Sequence, residues 1–250
     1  MVDSIRSGSE AMEARAPERI FGEGDPNLPA ELHDLLVRVL TKHLENSTNP
    51  NYQALLNRLW NACMTLSPTE EEKVPLAHLM AEEVEHGVIT AQILRGLGVD
   101  KVDSRIDQYL FDLPIETWCD LCFFHALGDR VGMYVGENWG DVPYEPLRKV
   151  APKLHRDEIG HATLGYRNLQ RLCRSPQGLE EANELIQKWW PAALDMFGSS
   201  DSRFSEKYVR WGIRKKGNAE LRQDYIRDVR PMLESIGIRV PDENANRRFL

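Results

Sequence analysis

The chain has 250 residues, with 31 Lys plus Arg against 39 Asp plus Glu and a formal net charge of −8 at pH 7. That surplus of negative charge repels a phosphate backbone and argues against nucleic acid as the main partner. No apolar run reaches the roughly 18–20 residues of a bilayer span, and the N-terminus lacks the apolar stretch of a secretory leader. Four scattered cysteines, Cys63, Cys119, Cys122 and Cys173, do not make a disulfide framework. The expectation is a cytoplasmic protein with free, buried thiols. The lone Cys119-x-x-Cys122 lies in a helical pattern rather than in a zinc or redox setting.

In chain order, residues 1–28 have no periodicity and read as a poorly ordered arm ahead of one domain, 29–250. Leu35, Leu36, Val39 and Leu40 mark a helix over about 29–46. A break at Ser47-Thr-Asn-Pro-Asn51 leads to a second apolar helical stretch over 50–66. Thr69 and Glu72 form a capping-box pattern opening a helix to about Leu97. A long linker crosses 99–113. Pro114 suits the first turn of a helix to about Asn138. After a turn at 140–146, another long helix covers 147–173, and three more follow near 178–197, 202–215 and 218–236. No strand alternation appears. The expected class is all-α, a four-helix bundle with additional C-terminal helices.

Two stretches carry Glu-x-x-His, Glu83-Val-Glu-His86 and Glu158-Ile-Gly-His161. Residues three apart project from one face of a helix, so each pair can grip one metal ion. Both lie deep inside long helices among apolar neighbours, where an ionised carboxylate is costly unless paired or metal-bound. The plainer alternative turns Glu83 and Glu158 outward and leaves the histidines as satisfied core residues. A two-metal centre needs two further carboxylates from the remaining helices. Asp129, among Phe123, Phe124, Leu127 and Val131, is the candidate on one, with Glu137 as fallback. On the other, Glu45 closes the 29–46 segment, whereas Gln53 would stand level with Glu83 if 50–66 were the bundle helix. Charge favours Glu45, since four carboxylates balance two ferrous ions. Iron and manganese both accept such ligands. His125 and His155, one turn from Asp129 and Glu158, stand at the edge of the site as possible hydrogen-bond donors to it.

The order of carboxylate helix, Glu-x-x-His helix, crossover, Asp helix and second Glu-x-x-His helix resembles the ferritin-like di-iron proteins. More narrowly it is similar to the catalytic-subunit family of ring-1,2-phenylacetyl-CoA epoxidases. The stretches that carry the likeness are Glu82-Glu-Val-Glu-His-Gly87, Leu127-Gly-Asp-Arg130, Tyr144-Glu-Pro-Leu147, Arg156-Asp-Glu-Ile-Gly-His161, Met196-Phe-Gly198 and Gly237-Ile-Arg-Val-Pro-Asp242. It covers about residues 35–245. The resemblance implies the ligand set Glu45, Glu83, His86, Asp129, Glu158 and His161, with Glu45 preferred to Gln53. It implies two iron ions, O2 and a monooxygenase that epoxidises or hydroxylates an aromatic acyl-CoA. It also implies a flavin or iron–sulfur reductase as electron donor, a metal-free structural paralogue as partner, and an oligomer.

Where that family has a Lys four residues before the first motif glutamate and a Gly before its histidine, this chain has Leu79 and Glu85. Two further features read as structural: Trp189-Trp190 as packing, and Lys207, Arg210, Arg214, Lys215 and Lys216 as a solvated basic face rather than a phosphate site.

Overall fold

Helix α3, Glu70–Gly96, and helix α6, Glu145–Leu172, form the spine on which everything else is hung. They run antiparallel in a one-for-one register that sets Glu72 against Arg171, Glu82 against His161 and His86 against Asp157. The structure is a computed structural model that describes residues 19–42, 46–103 and 106–249. Those residues contain no β-strand, only an isolated bridge between Phe21 and Tyr144. Thr69 caps α3 as its sequence suggests, its hydroxyl accepting from the Glu72 amide at 3.3 Å, a contact worth about 1 kcal/mol.

Helix α1, Ala30–Lys42, buries Leu32, Leu35, Leu36, Val39 and Leu40. Helix α2, Pro50–Leu66, is joined to α3 by a tight turn and packs on both α3 and α4, so it is the fourth wall of the bundle. The connection after α3 is longer than the expected linker, because Pro114 does not open the next helix. Thr117 does: its hydroxyl takes the Asp120 amide while the Asp120 carboxylate takes the Thr117 amide, a complete capping box. Among the described residues of that connection, one 3-10 turn, Tyr109–Asp112, interrupts it.

The third wall is not a plain helix either. It consists of α4, Trp118–Phe123, a π-helical turn, Phe124–Asp129, and α5, Arg130–Gly136, before a 3-10 turn at Glu137–Asp141. The π turn presses on α6, where Gly165 permits the contact: a Cβ there would lie 2.4 Å from the Ala126 amide nitrogen. Helices α7, Pro176–Asp195, α8, Arg203–Arg210, and α9, Asn218–Glu234, complete the chain. Trp189 and Trp190 are wholly buried and the four cysteines are buried and free, as expected. The basic run is not a uniform solvated face. Lys207 and Arg210 pair with Glu31, Lys215 with Asp141 and Lys216 with Asp224, but Arg214 is only 3% exposed.

Candidate metal centre

The antiparallel register brings the two Glu-x-x-His motifs face to face, with the His86 and His161 rings 5.8 Å apart between centroids. Two clusters result, in each of which one atom per residue lies within 4.8 Å of the others: Glu83, His86 and Glu158, and Glu83, Asp129 and His161. Glu83 belongs to both, as a carboxylate bridging two ions would. Glu83, His86 and His161 are buried. Glu158 fits between α5 and α6 because residue 132 is glycine: a Cβ there would stand 2.7 Å from the Glu158 Oε2.

Each histidine is held from behind by an acid on the opposite helix. His86 Nε2 lies 3.1 Å from Asp157 Oδ2, and His161 Nε2 lies 2.8 Å from Glu82 Oε2. That fixes both rings with Nε2 as donor. Both Nδ1 atoms are left facing the carboxylates, His86 at 3.6 Å from Glu158 Oε1 and His161 at 3.1 Å from Glu83 Oε1. Both are buried and make no hydrogen bond of sound geometry. Two imidazole nitrogens aimed at three carboxylates in a dry interior need either a proton held between them and those carboxylates or a cation in its place. They are what a divalent ion would satisfy, and a carboxylate behind each ligating imidazole is the usual support. The residues present therefore fit a pair of iron ions or a similar metal.

Asp129 enters from the C-terminal end of the π turn, where His125 Nδ1 holds its Oδ2 at 2.7 Å. Cys63 of α2 lies 3.9 Å from His125 Nε2. Burial, the largest influence on His125, pulls its pKa down, but the Asp129 carboxylate and then Cys63 push it up to about 10. Burial likewise opposes His161, which Glu83, Asp129 and Glu82 raise to about 9. For Glu83 burial raises the pKa, yet His161 and the other imidazoles hold it below the usual carboxylate range. Asp129, buried and close to Glu83, is raised. The metal-free cluster thus keeps its charge balanced with imidazolium protons.

Beside the cluster lies a cavity of about 120 Å³, walled by Leu55, Leu56 and Leu59 of α2 with Phe111, Phe124 and Val135, and reaching Glu83, Asp129 and Glu158. An apolar void of roughly 150 Å³ holds a benzene ring. A second, more open cavity of about 450 Å³ shares Lys42, Gln108 and Met196 with the first and is lined by Arg38, Arg203 and Arg214 together with Asp107, Asp195 and Asp201.

The sequence profile of the phenylacetic acid catabolic protein family matches residues 55–248. The chain belongs to that family. Its all-α, ferritin-like bundle is the fold class the sequence suggested. Among curated proteins, one component of the 1,2-phenylacetyl-CoA epoxidase of Escherichia coli (strain K12) is 27% identical over 198 residues, which cover 73% of this chain and 63% of the relative. The chain therefore spans less than two thirds of that relative's length.

Of the residues expected for a phenylacetic acid catabolic family site, Glu83, His86, Asp129, Glu158 and His161 come together, and Glu45 lies outside the described residues. Gln53 is exposed and donates to the Ser47 carbonyl at 3.2 Å, so it turns away from the cluster. Glu137 is exposed and is in neither cluster. Helix α2 has no Asp or Glu and offers the cavity Tyr52 and three leucines. Sequence reasoning missed Glu82 and Asp157. The signal was there, since each motif is an acid followed by Glu-x-x-His. No helix among the described residues is long and apolar enough to cross a membrane.

Proposed function

We propose that this chain is the oxygen-activating subunit of a di-iron monooxygenase that epoxidises or hydroxylates the ring of an aromatic acyl-CoA thioester. The observation that carries the reading is the doubled cluster: two sets of three ligands sharing Glu83, with an acid-supported imidazole in each. Glu45 is the proposed sixth ligand, because α2 supplies no carboxylate and charge balance asks for a fourth. Two ferrous ions bound there would supply the reduction of dioxygen, with one oxygen going to the ring and the other leaving as water.

The chain's own residues do the rest. Glu82 and Asp157 hold the imidazole Nε2 protons, so each Nδ1 lone pair would be free to bind a metal ion. The leucines of α2 with Phe111 and Phe124 would bind an aromatic ring and exclude water beside the cluster. The adjoining cavity would take the anionic carrier. Lys42 is paired there with Asp107 at 2.8 Å, but Arg214 has no carboxylate within 4 Å among the described residues. It donates to Asn218 Oδ1 at 3.0 Å and sits against the Tyr208 ring, and burial pushes its pKa down to about 10. A buried guanidinium without a carboxylate is set up for a phosphate.

In this reading two electrons come from a separate flavin or iron–sulfur reductase, in keeping with a sequence that carries no nucleotide fingerprint. A metal-free structural paralogue is the proposed partner subunit, in the cytoplasm. The 27% identity to a component of an epoxidase also supports this reading.

The test is iron content per chain, then oxygen uptake with reductase and phenylacetyl-CoA, with product mass read for one added oxygen. About two irons and substrate-dependent uptake are expected. A folded chain that takes up no metal sinks the proposal. Arg214→Met should raise KM for the thioester several-fold at unchanged iron content, and an equal loss with a substrate lacking the phosphates would overturn the carrier assignment.

A further inference from the structure

Among the described residues after α9 there is no helix or strand, yet the chain there is tied down at three places. The Arg239 amide donates to Asn183 Oδ1 at 2.7 Å, and Arg230 donates to the Val240 and Pro241 carbonyls at 3.2 and 2.7 Å. The third tie converges on one carboxylate. Asp195, the last residue of α7, is buried and accepts from Arg247 Nε at 2.7 Å, the Arg248 amide at 2.6 Å and the Phe249 amide at 3.3 Å. Its pair with Arg247 is dry, the two side chains being 1% and 3% exposed. Residues 239–249 therefore form a strap laid from Asn183 to the C-terminal end of α7.

The same carboxylate also holds the connection after α3. Tyr109 donates its hydroxyl to Asp195 Oδ2 at 3.1 Å, and the Arg248 guanidinium lies 3.6 Å from the centroid of that ring. On either side of Tyr109, Gln108 and Phe111 wall the metal-side cavity, while Phe249 walls the outer one. One buried group thus secures a wall of each cavity. The cavities meet at Lys42, Gln108 and Met196. There Gln108 Nε2 donates to the Lys42 carbonyl at 2.8 Å and Lys42 Nζ pairs with Asp107 at 2.8 Å, stitching the connection to the end of α1. A ring carried on a flexible arm has to part that stitch to pass inward. The strap end is built to let go: Phe249 is 42% exposed, so it buries little apolar surface, and its ties are polar and share one acceptor. Segments held in this way open well before the packed helices do.

We propose that Asp195 is the latch of a gate, in which the 247–249 strap and the 108–111 segment open together, admit the acyl-CoA to the two cavities and close over it. The gate rests on the carrier assignment made under Proposed function. It goes beyond it in placing control of entry at a carboxylate that touches neither the metal cluster nor the reacting ring. Because the latch is released as a unit, loss of the strap contacts alone should speed passage in both directions, and loss of Asp195 should speed it further by freeing Tyr109 as well.

The experiment mixes the metal-free full chain with the phenylacetyl thioester of fluorescent 1,N6-ethenocoenzyme A in a stopped-flow instrument, so that binding is read without turnover. Arg247→Gln with Phe249→Ala frees the strap and leaves Asp195 on Tyr109; Asp195→Asn loosens both. Association and release should each rise about tenfold in the first variant and more in the second, with the dissociation constant changed less than threefold. In the parent, hydrogen exchange of the Arg248 and Phe249 amides should slow at least tenfold when the thioester is bound. Where Asp195→Asn loses helical content by circular dichroism, the strap variant and the exchange decide. Binding with unchanged rates in the strap variant overturns the gate alone, as does weaker binding through faster release at an unchanged association rate, which would make the strap only a contact surface. No binding by the parent or by either folded variant overturns the carrier assignment and the gate with it.

Discussion

Helices α3 and α6 carry the same motif, an acid followed by Glu-x-x-His, yet the two halves of the site are differently protected. On one side His86 leans on Asp157, which is 9% exposed and pinned by Lys153 at 2.6 Å. On the other His161 leans on Glu82, which is 42% exposed and, among the described residues, has no cation beside it other than the imidazole. The geometry is nearly two-fold, but the dielectric is not. A charge pair in a dry setting is worth more, and its loss costs more, than the same pair at a wet edge. The two histidines should therefore differ in how much they depend on their supports, although the sequence presents them as equivalent.

The sharpest way to break the symmetry is at the residue both halves share. Glu83→Ala leaves neither cluster with three ligands, so metal should fall from about two ions per chain to well under one. Glu158→Ala removes a member of one cluster only and should leave about one ion, measured by elemental analysis on protein of unchanged helical content. Equal losses in the two variants would mean that Glu83 does not bridge.

The next largest contrast is between the supports. Asp157→Asn should weaken metal binding by about 10- to 100-fold, the usual range for a carboxylate behind a ligating imidazole. Glu82→Gln should cost less than tenfold, because solvent replaces part of what is lost. Competition with a chromophoric chelator reads both. If Glu82→Gln were the worse of the two, exposure would not be what separates the halves.

The sequence made parts of this site plain and hid others for identifiable reasons. Glu83, His86, Glu158 and His161 were legible because a three-residue spacing on a helix has one geometric meaning. Asp129 was found from its apolar neighbours, but the π turn that delivers it was not, since one extra residue per turn leaves no mark on hydrophobic periodicity over so short a stretch. Pro114 misled because its fitness for a first turn is local, whereas the helix starts where Thr117 and Asp120 complete each other's hydrogen bonds. Arg214 read as one of five surface cations, because it lies in the turn between α8 and α9, where no periodicity says which side chain faces inward. The role of α2 as the fourth wall was an open alternative, and only tertiary packing decided it.

A smaller contrast concerns two glycines near the α6 half. Gly132→Ala would push a methyl group to 2.7 Å from the Glu158 carboxylate, so something must shift. The expected cost is about 1–3 kcal/mol of overpacking together with weaker metal binding. Gly160, inside the motif itself, has nothing within 4 Å of its missing Cβ. Gly160→Ala should therefore stabilise the helix by up to about 1 kcal/mol and leave metal binding alone. Thermal melts and the same chelator competition would show it. Metal loss on Gly160→Ala would mean that the outward face of the motif is not free.

The smallest effect is on the pH dependence of the metal-free chain, and its sign follows from the cluster's charges. His161 and His125 are raised to about 9 and about 10, above the roughly 6.5 of an unfolded chain. Their contribution is then full below about pH 6.5 and is lost as pH climbs through 9 and 10. Glu83, held low, contributes above the ordinary carboxylate range and loses that as pH falls. The metal-free melting temperature should accordingly drop by a few degrees between pH 8 and 10.5. Glu82→Gln should move the start of that decline to lower pH, because Glu82 is one of the anions sustaining the His161 charge, whereas His125→Gln should flatten its upper end. Metal loading removes the need for the imidazolium protons, so the iron-bound chain should show no such decline over that window, and iron uptake at pH 8 should release protons to an indicator dye. A metal-free melt that is flat from pH 8 to 10.5 would mean that the histidines are neutral in the folded chain and that the carboxylates hold the protons instead.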